Sequence, residues 1–321
     1  MQRVLLLGAS GFIGSHIARL LGPTGALVIA GPSSAGGDLT AASPQVWEEL
    51  LLSARPDVII NAAGRTYGSA QQLSGANLLL VSRLLGTLSR LQLSPWLVHL
   101  GSAAEYGAAT PDALLNHEAA AGEGQAVSEA WTCQPLSHYG VSKLAATRLL
   151  LGAIASGAAR GVVLRVFNPV GAGQSAATLP GRAAALLKLA AEQQQPEVTF
   201  GALESRRDYI DVRDVARAAV FAAELGQLAD APPRILNVGS GQARCSREVV
   251  TGLAALAGFE GQLCETASGS ARSALIDSQH ADIGLFRALG WSPLYSFDDA
   301  LQDLWHSVSP PAPVYAASAS S

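Results

Sequence analysis

Tyr139 and Lys143 stand four residues apart in "SHYGVSKLAATR" (137–148), and Lys143 is one of only two lysines in the chain. On a helix, residues four apart share a face, so phenol and ammonium can enter one site. A free phenol has a pKa of about 10, and bringing it near 7 takes roughly 4 kcal/mol of preferential stabilisation of the phenolate. A neighbouring ammonium supplies part of that. Lysine is also a compact point charge that can bond a ribose diol while facing a phenol, where arginine presents a broad planar fork. The pair reads as proton transfer beside a sugar hydroxyl.

A second pattern lies at the N-terminus, where "GASGFIG" (8–14) follows the strand-like "RVLLL" and opens a helical stretch. Gly8 permits a tight turn, Gly11 lets backbone approach a pyrophosphate, and Gly14 lets the helix pack close to the strand. The helix N-terminus then offers N–H groups and positive potential to the anion. Gly8, Ser10, Gly11, Phe12, Ile13 and Gly14 form the candidate dinucleotide cradle. Folds that prefer NAD usually place an acid after the second strand, but "VIAGPSSAGGD" holds none before Asp38. Ser33 and Ser34 can donate to a 2'-phosphate, so the reading favours NADPH slightly over NADH.

These residues need a scaffold. Short apolar runs alternate with helical stretches five times: "RVLLLG" then 13–21, "ALVIAG" then 44–53, "PDVIINAAG" then 71–91, "WLVHLGS" then 139–155, and "GVVLRVFN". Such alternation predicts an α/β fold, a doubly wound parallel sheet of the Rossmann type covered on both faces. Residues 1–170 form the expected dinucleotide-binding domain, to which the chain returns at about 207–242. Residues 171–206 and 243–307 form a smaller, discontinuous C-terminal substrate domain. The Pro, Ala and Ser of 308–321 predict a disordered tail.

Composition excludes other classes. With 321 residues, a net charge of -4 and no basic run, neither nucleic acid nor an anionic membrane is an expected partner. Cys133, Cys245 and Cys264 are odd in number and widely spaced, and the six histidines have no metal-ligand spacing, so neither a disulfide framework nor a metal site is expected. A cytoplasmic enzyme acting on a small molecule is the default.

With the tyrosine–lysine pair and the glycine turn together, the chain resembles the extended short-chain dehydrogenase/reductase family, the epimerase/dehydratase branch that modifies sugar nucleotides. The resemblance runs from about residue 3 to residue 305. It implies that Ser102 in "GSAAEYG" bonds the substrate oxygen beside Tyr139, and that Asn77 in "GANLLLVSRLL" completes a catalytic tetrad with Ser102, Tyr139 and Lys143. It implies further that Asn61, Ala62, Ala63 and Gly64 pass beneath the cofactor and that Asp38 and Leu39 touch adenine. Asn168 in "RVFNPVGAGQ" would face substrate, and Arg207 in "RRDYIDVRDVA" would bind a nucleotide diphosphate. An Asp-x-x-Asp such as Asp211 and Asp214 reads as helix N-terminal capping.

Two departures matter. Dehydratases of the branch follow the catalytic Ser or Thr with Asp-Glu, whereas Ser102 is followed by Ala103 and Ala104, with Glu105 one position late and pointing away. The Arg-x-x-Asp that grips the diphosphate is also missing, with only Arg272 nearby. A long segment between Gly107 and Glu129, with His117, Glu118 and Glu123, reads as a candidate lid.

The short link between second and third strands resembles dTDP-4-dehydrorhamnose reductases, and the later motifs resemble GDP-4-keto-6-deoxymannose reductases. The expected activity is therefore an NAD(P)H-dependent ketoreductase. The alternatives are an epimerase using the same tetrad on tightly held NAD, or a nicotinamide-binding regulator without turnover. The helices at about 71–91 and 139–155 carry apolar residues around more than one face, which predicts a homodimer through them, with Leu79, Leu84, Ala146 and Leu150 at the seam.

Overall fold

A computed structural model describes residues 2–24, 26–31, 39–107, 126–228, 233–266 and 276–308. The first half runs β1 (Arg3–Leu7), α1 (Phe12–Leu21), β2 (Leu27–Ala30), α2 (Pro44–Ala54), β3 (Val58–Asn61), α3 (Ala70–Ser74), α4 (Leu80–Arg90), β4 (Trp96–Ser102), α5 (His138–Ala155) and β5 (Arg160–Val166). The second half runs β6 (Asn168–Val170), α6 (Leu179–Glu192), β7 (Glu197–Phe200), β8 (Arg206–Arg207), β9 (Tyr209–Asp211), α7 (Val212–Leu228), β10 (Ile235–Val238), β11 (Arg244–Cys245), α8 (Ser246–Ala257), β12 (Gln262–Glu265), β13 (Ser278–Gln279), α9 (Gly284–Ala288) and α10 (Phe297–Ser307).

Six strands form one parallel sheet in the order β2-β1-β3-β4-β5-β10. Side chains alternate across a strand, so β1 serves two cores. Val4 and Leu6 pack with Ile17 of α1 and the alanines of α7, while Leu5 and Leu7 pack with Trp47, Leu84, Leu88 and Leu150 of α2, α4 and α5. Burial on both faces explains why the strands read as unbroken apolar runs. The order reverses at β1, and in such a sheet the crevice beyond the strands' carboxyl ends is where ligands bind.

A separate core joins α6, α8 and α10 with β7 and β9, built on Ala183, Leu187, Phe200, Val250, Leu253 and Leu301. Phe286 and Trp291 instead stack on each other, centroids 4.5 Å apart, and pack into the sheet's own core.

Two expectations are corrected. The single helix expected over 71–91 is broken by a wider, π-type turn at Gly75–Leu79 between α3 and α4. Such turns are frequent at functional positions, and this one carries Asn77. At the expected seam, Leu84, Ala146 and Leu150 are buried in the chain's own core, because α4 and α5 turn those residues toward the sheet. The outer face carries Leu79, 47% exposed, Val141, 52%, and Leu149, 38%.

Among the described residues no helix is long and apolar enough to cross a membrane, and no cluster of three metal-ligating side chains occurs. Residues 309–321 of the tail, residues 108–125 of the candidate lid and Arg272 lie outside the described residues.

Candidate active site

The glycine turn begins where β1 ends. Gly8 adopts φ +81°, open to glycine but strained for other residues, and a Cβ there would lie 2.6 Å from the Ala63 nitrogen. The turn after β1 therefore backs directly onto Ala62 and Ala63, which follow β3. Gly11 donates its N–H to the Gly8 carbonyl at 2.9 Å. At Gly14 a Cβ would collide with that same carbonyl, so α1 sits as close to β1 as backbone allows. Gly11 caps α1 with no side-chain bond, and no acid lies in the first turn. An uncapped, acid-free helix start beside an exposed Ser10 and Gly11 fits a pyrophosphate. Phe12 packs edge-on to His16, whose ring bonds the Ala172 carbonyl at 2.9 Å, and Ile13 packs against the sheet core.

Asn61 turns inward. Its Oδ1 accepts from Ala63 N–H at 3.1 Å and its Nδ2 meets His99 Nδ1 at 3.1 Å. Burial, and after it the Lys143 charge, hold His99 well below its ordinary pKa, so the ring is neutral and its Nδ1 can accept. Leu39 is buried in the core, and its carbonyl accepts from Trp47 Nε1 at 3.2 Å. Ser33, Ser34 and Asp38 lie outside the described residues.

The tetrad candidates converge beyond β4. Ser102 is its last residue, and the Ser102 hydroxyl oxygen accepts from Ala104 N–H at 3.2 Å, which leaves its proton as a donor. Ser137 caps α5 by accepting from Gly140 N–H at 3.1 Å. Gly140 presses against the Ala104 carbonyl, where a Cβ would collide. The helix start bearing half-buried Tyr139 thus abuts the turn after Ser102. Lys143, one turn on, is buried and donates from Nζ to the Leu100 carbonyl. Burial pushes its pKa down to about 8, against the opposing pull of Glu105.

Asn77 joins this group from the π-type turn. It clamps the Arg65 backbone with both amide atoms at 3.0 Å and donates to Ser142 Oγ at 2.8 Å. Ser142 then donates to the Tyr139 carbonyl at 2.8 Å. Asn77 also crowds Gly64, where a Cβ would lie 2.7 Å from its Oδ1.

On the other side of the crevice, Asn168 donates from Nδ2 to the Asp208 carbonyl at 3.0 Å, which brings it beside half-buried Arg207. Burial pushes the Arg207 guanidinium down, opposed by Tyr209 and Asp277. Asp211 accepts from Arg213 N–H at 2.7 Å, as a capping residue does. Asp214 instead holds the Leu294 and Tyr295 N–H groups across to the segment before α10.

Sequence reasoning missed the buried charges behind the site. Glu105 is fully buried and pairs with Arg165 at 3.0 Å, while Asp208 receives N–H bonds from Ser240, Gly241 and Ala281. A signal existed in the lone arginine inside "VVLRVF": a charge in a fully buried strand requires a partner.

The sheet order and the glycine turn at its reversal define a Rossmann-type α/β protein. The chain belongs to the NAD dependent epimerase/dehydratase family, which matches residues 4–239. It is 33% identical over 322 residues to dTDP-6-deoxy-L-talose 4-dehydrogenase (NAD(P)(+)) of Kitasatospora kifunensis, covering 96% of each chain. It is 28% identical over 318 residues to GDP-6-deoxy-D-mannose reductase of Pseudomonas aeruginosa, covering 95% of this chain and 98% of that one. The structure of RMD from Pseudomonas aeruginosa complexed with NADPH aligns with a TM-score of 0.80 at 26% identity, covering 96% of this chain and 98% of that one. The family and fold expected from the motifs are borne out.

Proposed function

We propose that the protein is an NAD(P)H-dependent ketoreductase that reduces a keto group on a nucleotide-activated deoxysugar or a related natural-product intermediate. The observation that carries this reading is the meeting of α5 with the end of β4, where Gly140 abuts Ala104 and Lys143 reaches the Leu100 carbonyl beside Ser102. The full-length likeness to a dTDP-6-deoxy-L-talose 4-dehydrogenase and a GDP-6-deoxy-D-mannose reductase supports the substrate class.

The chain is an oxidoreductase of the short-chain dehydrogenase/reductase type, and its cofactor is NADP or NAD. When bound, the nicotinamide supplies hydride to the ketone carbon. Gly8 to Gly14 and the start of α1 hold the pyrophosphate, with Ala62 to Gly64 beneath. Ser102 donates its hydroxyl proton as a hydrogen bond to the carbonyl oxygen. Tyr139 gives that oxygen its phenol proton as it becomes an alcohol, and is left as phenolate. Lys143 keeps two ammonium protons beyond its bond to Leu100 for ribose hydroxyls, and its charge stabilises the phenolate. Asn168 and Arg207 face the nucleotide sugar across the crevice.

The proposed division of labour assigns 1–170, with the return at 207–242, to the cofactor, and 171–206 with 243–307 to the substrate. The segment through Phe286 and Trp291 packs back on the sheet. Three free cysteines fit a cytoplasmic setting. The proposed homodimer uses the outer face of α4, the turn before it and α5, where Leu79 and Val141 are exposed and Leu149 lines a shallow groove of about 500 Å³ between Gly86 and Gly152.

The test is incubation with NADPH or NADH and a panel of 4-keto-6-deoxysugar nucleotides, read at the nicotinamide absorbance. Stoichiometric loss of reduced cofactor supports the reductase. Cofactor that co-purifies with the chain and is never consumed, while a sugar nucleotide is inverted, assigns the epimerase instead.

A further inference from the structure

Glu105 has no part in the tetrad, yet it bonds both to the strand that ends in Ser102 and to the helix that carries Tyr139 and Lys143. Its Oε1 accepts from Ser102 N–H at 2.9 Å and from Thr147 Oγ1 at 3.0 Å, and its Oε2 accepts from Arg165 Nε at 3.0 Å. Thr147 lies one turn after Lys143 on α5, and Arg165 faces Gly101 across the β4–β5 ladder. The carboxylate occupies the space a side chain at 101 would need, since a Cβ there would lie 2.7 Å from Oε1. "GSAAE" thus folds back so that its acid lies behind its serine.

We propose that Glu105 is a positioning residue for the reaction: its buried carboxylate fixes Ser102 at the end of β4, locks the tyrosine–lysine face of α5 to it, and supplies the counter-charge that keeps Lys143 protonated. The inference rests on the reading that Ser102, Tyr139 and Lys143 serve the chemistry.

Among the described residues the charges around Lys143 are few. His99 on β4 is held neutral. Tyr139 shares α5. Arg165 on β5 is itself engaged, through Nε with Glu105 and through its face with the Tyr106 ring, 4.5 Å to the centroid. Tyr106 donates to Asn237 Oδ1 at 2.7 Å, and Asn237 N–H donates to Glu129 at 2.8 Å, so Glu129 and Tyr106 are tied to the far side of the arginine. Burial raises the pKa of both. Burial drives Lys143 toward its neutral form, and the charge opposing it is that of Glu105. An ammonium that lost its proton at working pH would no longer stabilise the Tyr139 phenolate.

The chain's two lysines make this measurable. Protein labelled with ¹³C at lysine Cε gives signals from Lys143 and Lys188, assigned with Lys188→Arg, and the Cε shift follows each ammonium as pH changes. The native Lys143 midpoint is expected near 8. Glu105→Gln combined with Arg165→Met removes both members of the ion pair together, so neither is left charged without the other, and should lower the midpoint by about one pH unit. At pH 7.5 the protonated fraction then falls about threefold, and the alkaline limb of kcat moves to lower pH by the same amount. Glu105→Asp keeps the charge and shortens the arm, so it should hold the midpoint while kcat falls more than KM rises.

A native Lys143 midpoint near the ordinary lysine value of about 10.4 overturns the inference. So does an unchanged midpoint in the folded double variant. The titration needs neither cofactor nor substrate. If the midpoint moves but no keto sugar is reduced, the ketoreductase reading fails and the electrostatic role stands; the opposite pattern rejects Glu105 alone.

Discussion

Asn77 donates to Ser142 across 2.8 Å, linking the helix after β3 side chain to side chain with the helix that carries Tyr139. Since the Ser142 hydroxyl donates its hydrogen bond to the Tyr139 carbonyl, the amide of residue 77 fixes the height of the tyrosine in the crevice. Asn77→Ala would strand the Arg65 backbone groups and loosen that link. We expect a loss of stability of about 1–3 kcal/mol and a fall in kcat of at least tenfold, with Ser142→Ala milder on both. Urea unfolding and steady-state kinetics measure the two effects, and a native kcat in Asn77→Ala would remove the residue from the tetrad.

Tyr139→Phe removes the proton donor and leaves the ring. Turnover should fall by about 10²–10⁴ while NADPH affinity stays within a few-fold. Equal losses in kcat and in fluorescence-measured affinity would count against the acid role.

Lys143→Met should behave unusually, losing activity while gaining stability. Burial holds the folded pKa at about 8, below the unfolded value of about 10.4, so the folded chain binds this proton less tightly than the unfolded chain does. Below about pH 8 the folded state carries the full penalty, about 3 kcal/mol, and between about 8 and 10.4 stability rises with pH as the penalty is relieved. After the lost bond to Leu100 is subtracted, Lys143→Met should be about 1–3 kcal/mol more stable at pH 6.5, with the advantage fading toward pH 10. Urea midpoints at the two pH values decide, and a variant equally destabilised at both contradicts the burial argument.

Gly14→Ala places a methyl group against the Gly8 carbonyl, so α1 must move off the turn. A cost of roughly 1–3 kcal/mol is expected, together with weaker NADPH binding because the helix start leaves the pyrophosphate. Calorimetric titration with NADPH on a variant whose Tm is known separates the effects. Native affinity despite a lowered Tm would mean the pyrophosphate is held elsewhere.

For the homodimer, Leu79→Glu with Leu149→Glu alters the outer face alone. Light scattering should fall from twice the chain mass to 32.9 kDa with the fold intact. Leu84→Glu or Leu150→Glu would bury a charge in the core and destabilise the monomer itself. A native chain that scatters as a monomer at micromolar concentration rejects the dimer.

Much of this protein is legible without coordinates because its signals are local. A glycine turn between strand and helix, a tyrosine and lysine four apart, and a serine ending an apolar run are properties of a few neighbouring residues, and their backbone periods determine which faces they share. The parallel sheet follows too, since strands buried on both faces must alternate with covering helices. What the chain order left open depends on residues far apart in sequence. Helical periodicity cannot register the extra residue of the turn at Asn77, because that turn is held by Arg65 and Ser142. Nor can it choose which leucines of α4 and α5 face the sheet when both sides of each helix are apolar: packing turned Leu84 and Leu150 inward and Leu79 and Leu149 outward. The pairing of Glu105 with Arg165, sixty residues on, was likewise settled by tertiary structure, because a charge enters a dry interior only where the fold delivers its partner.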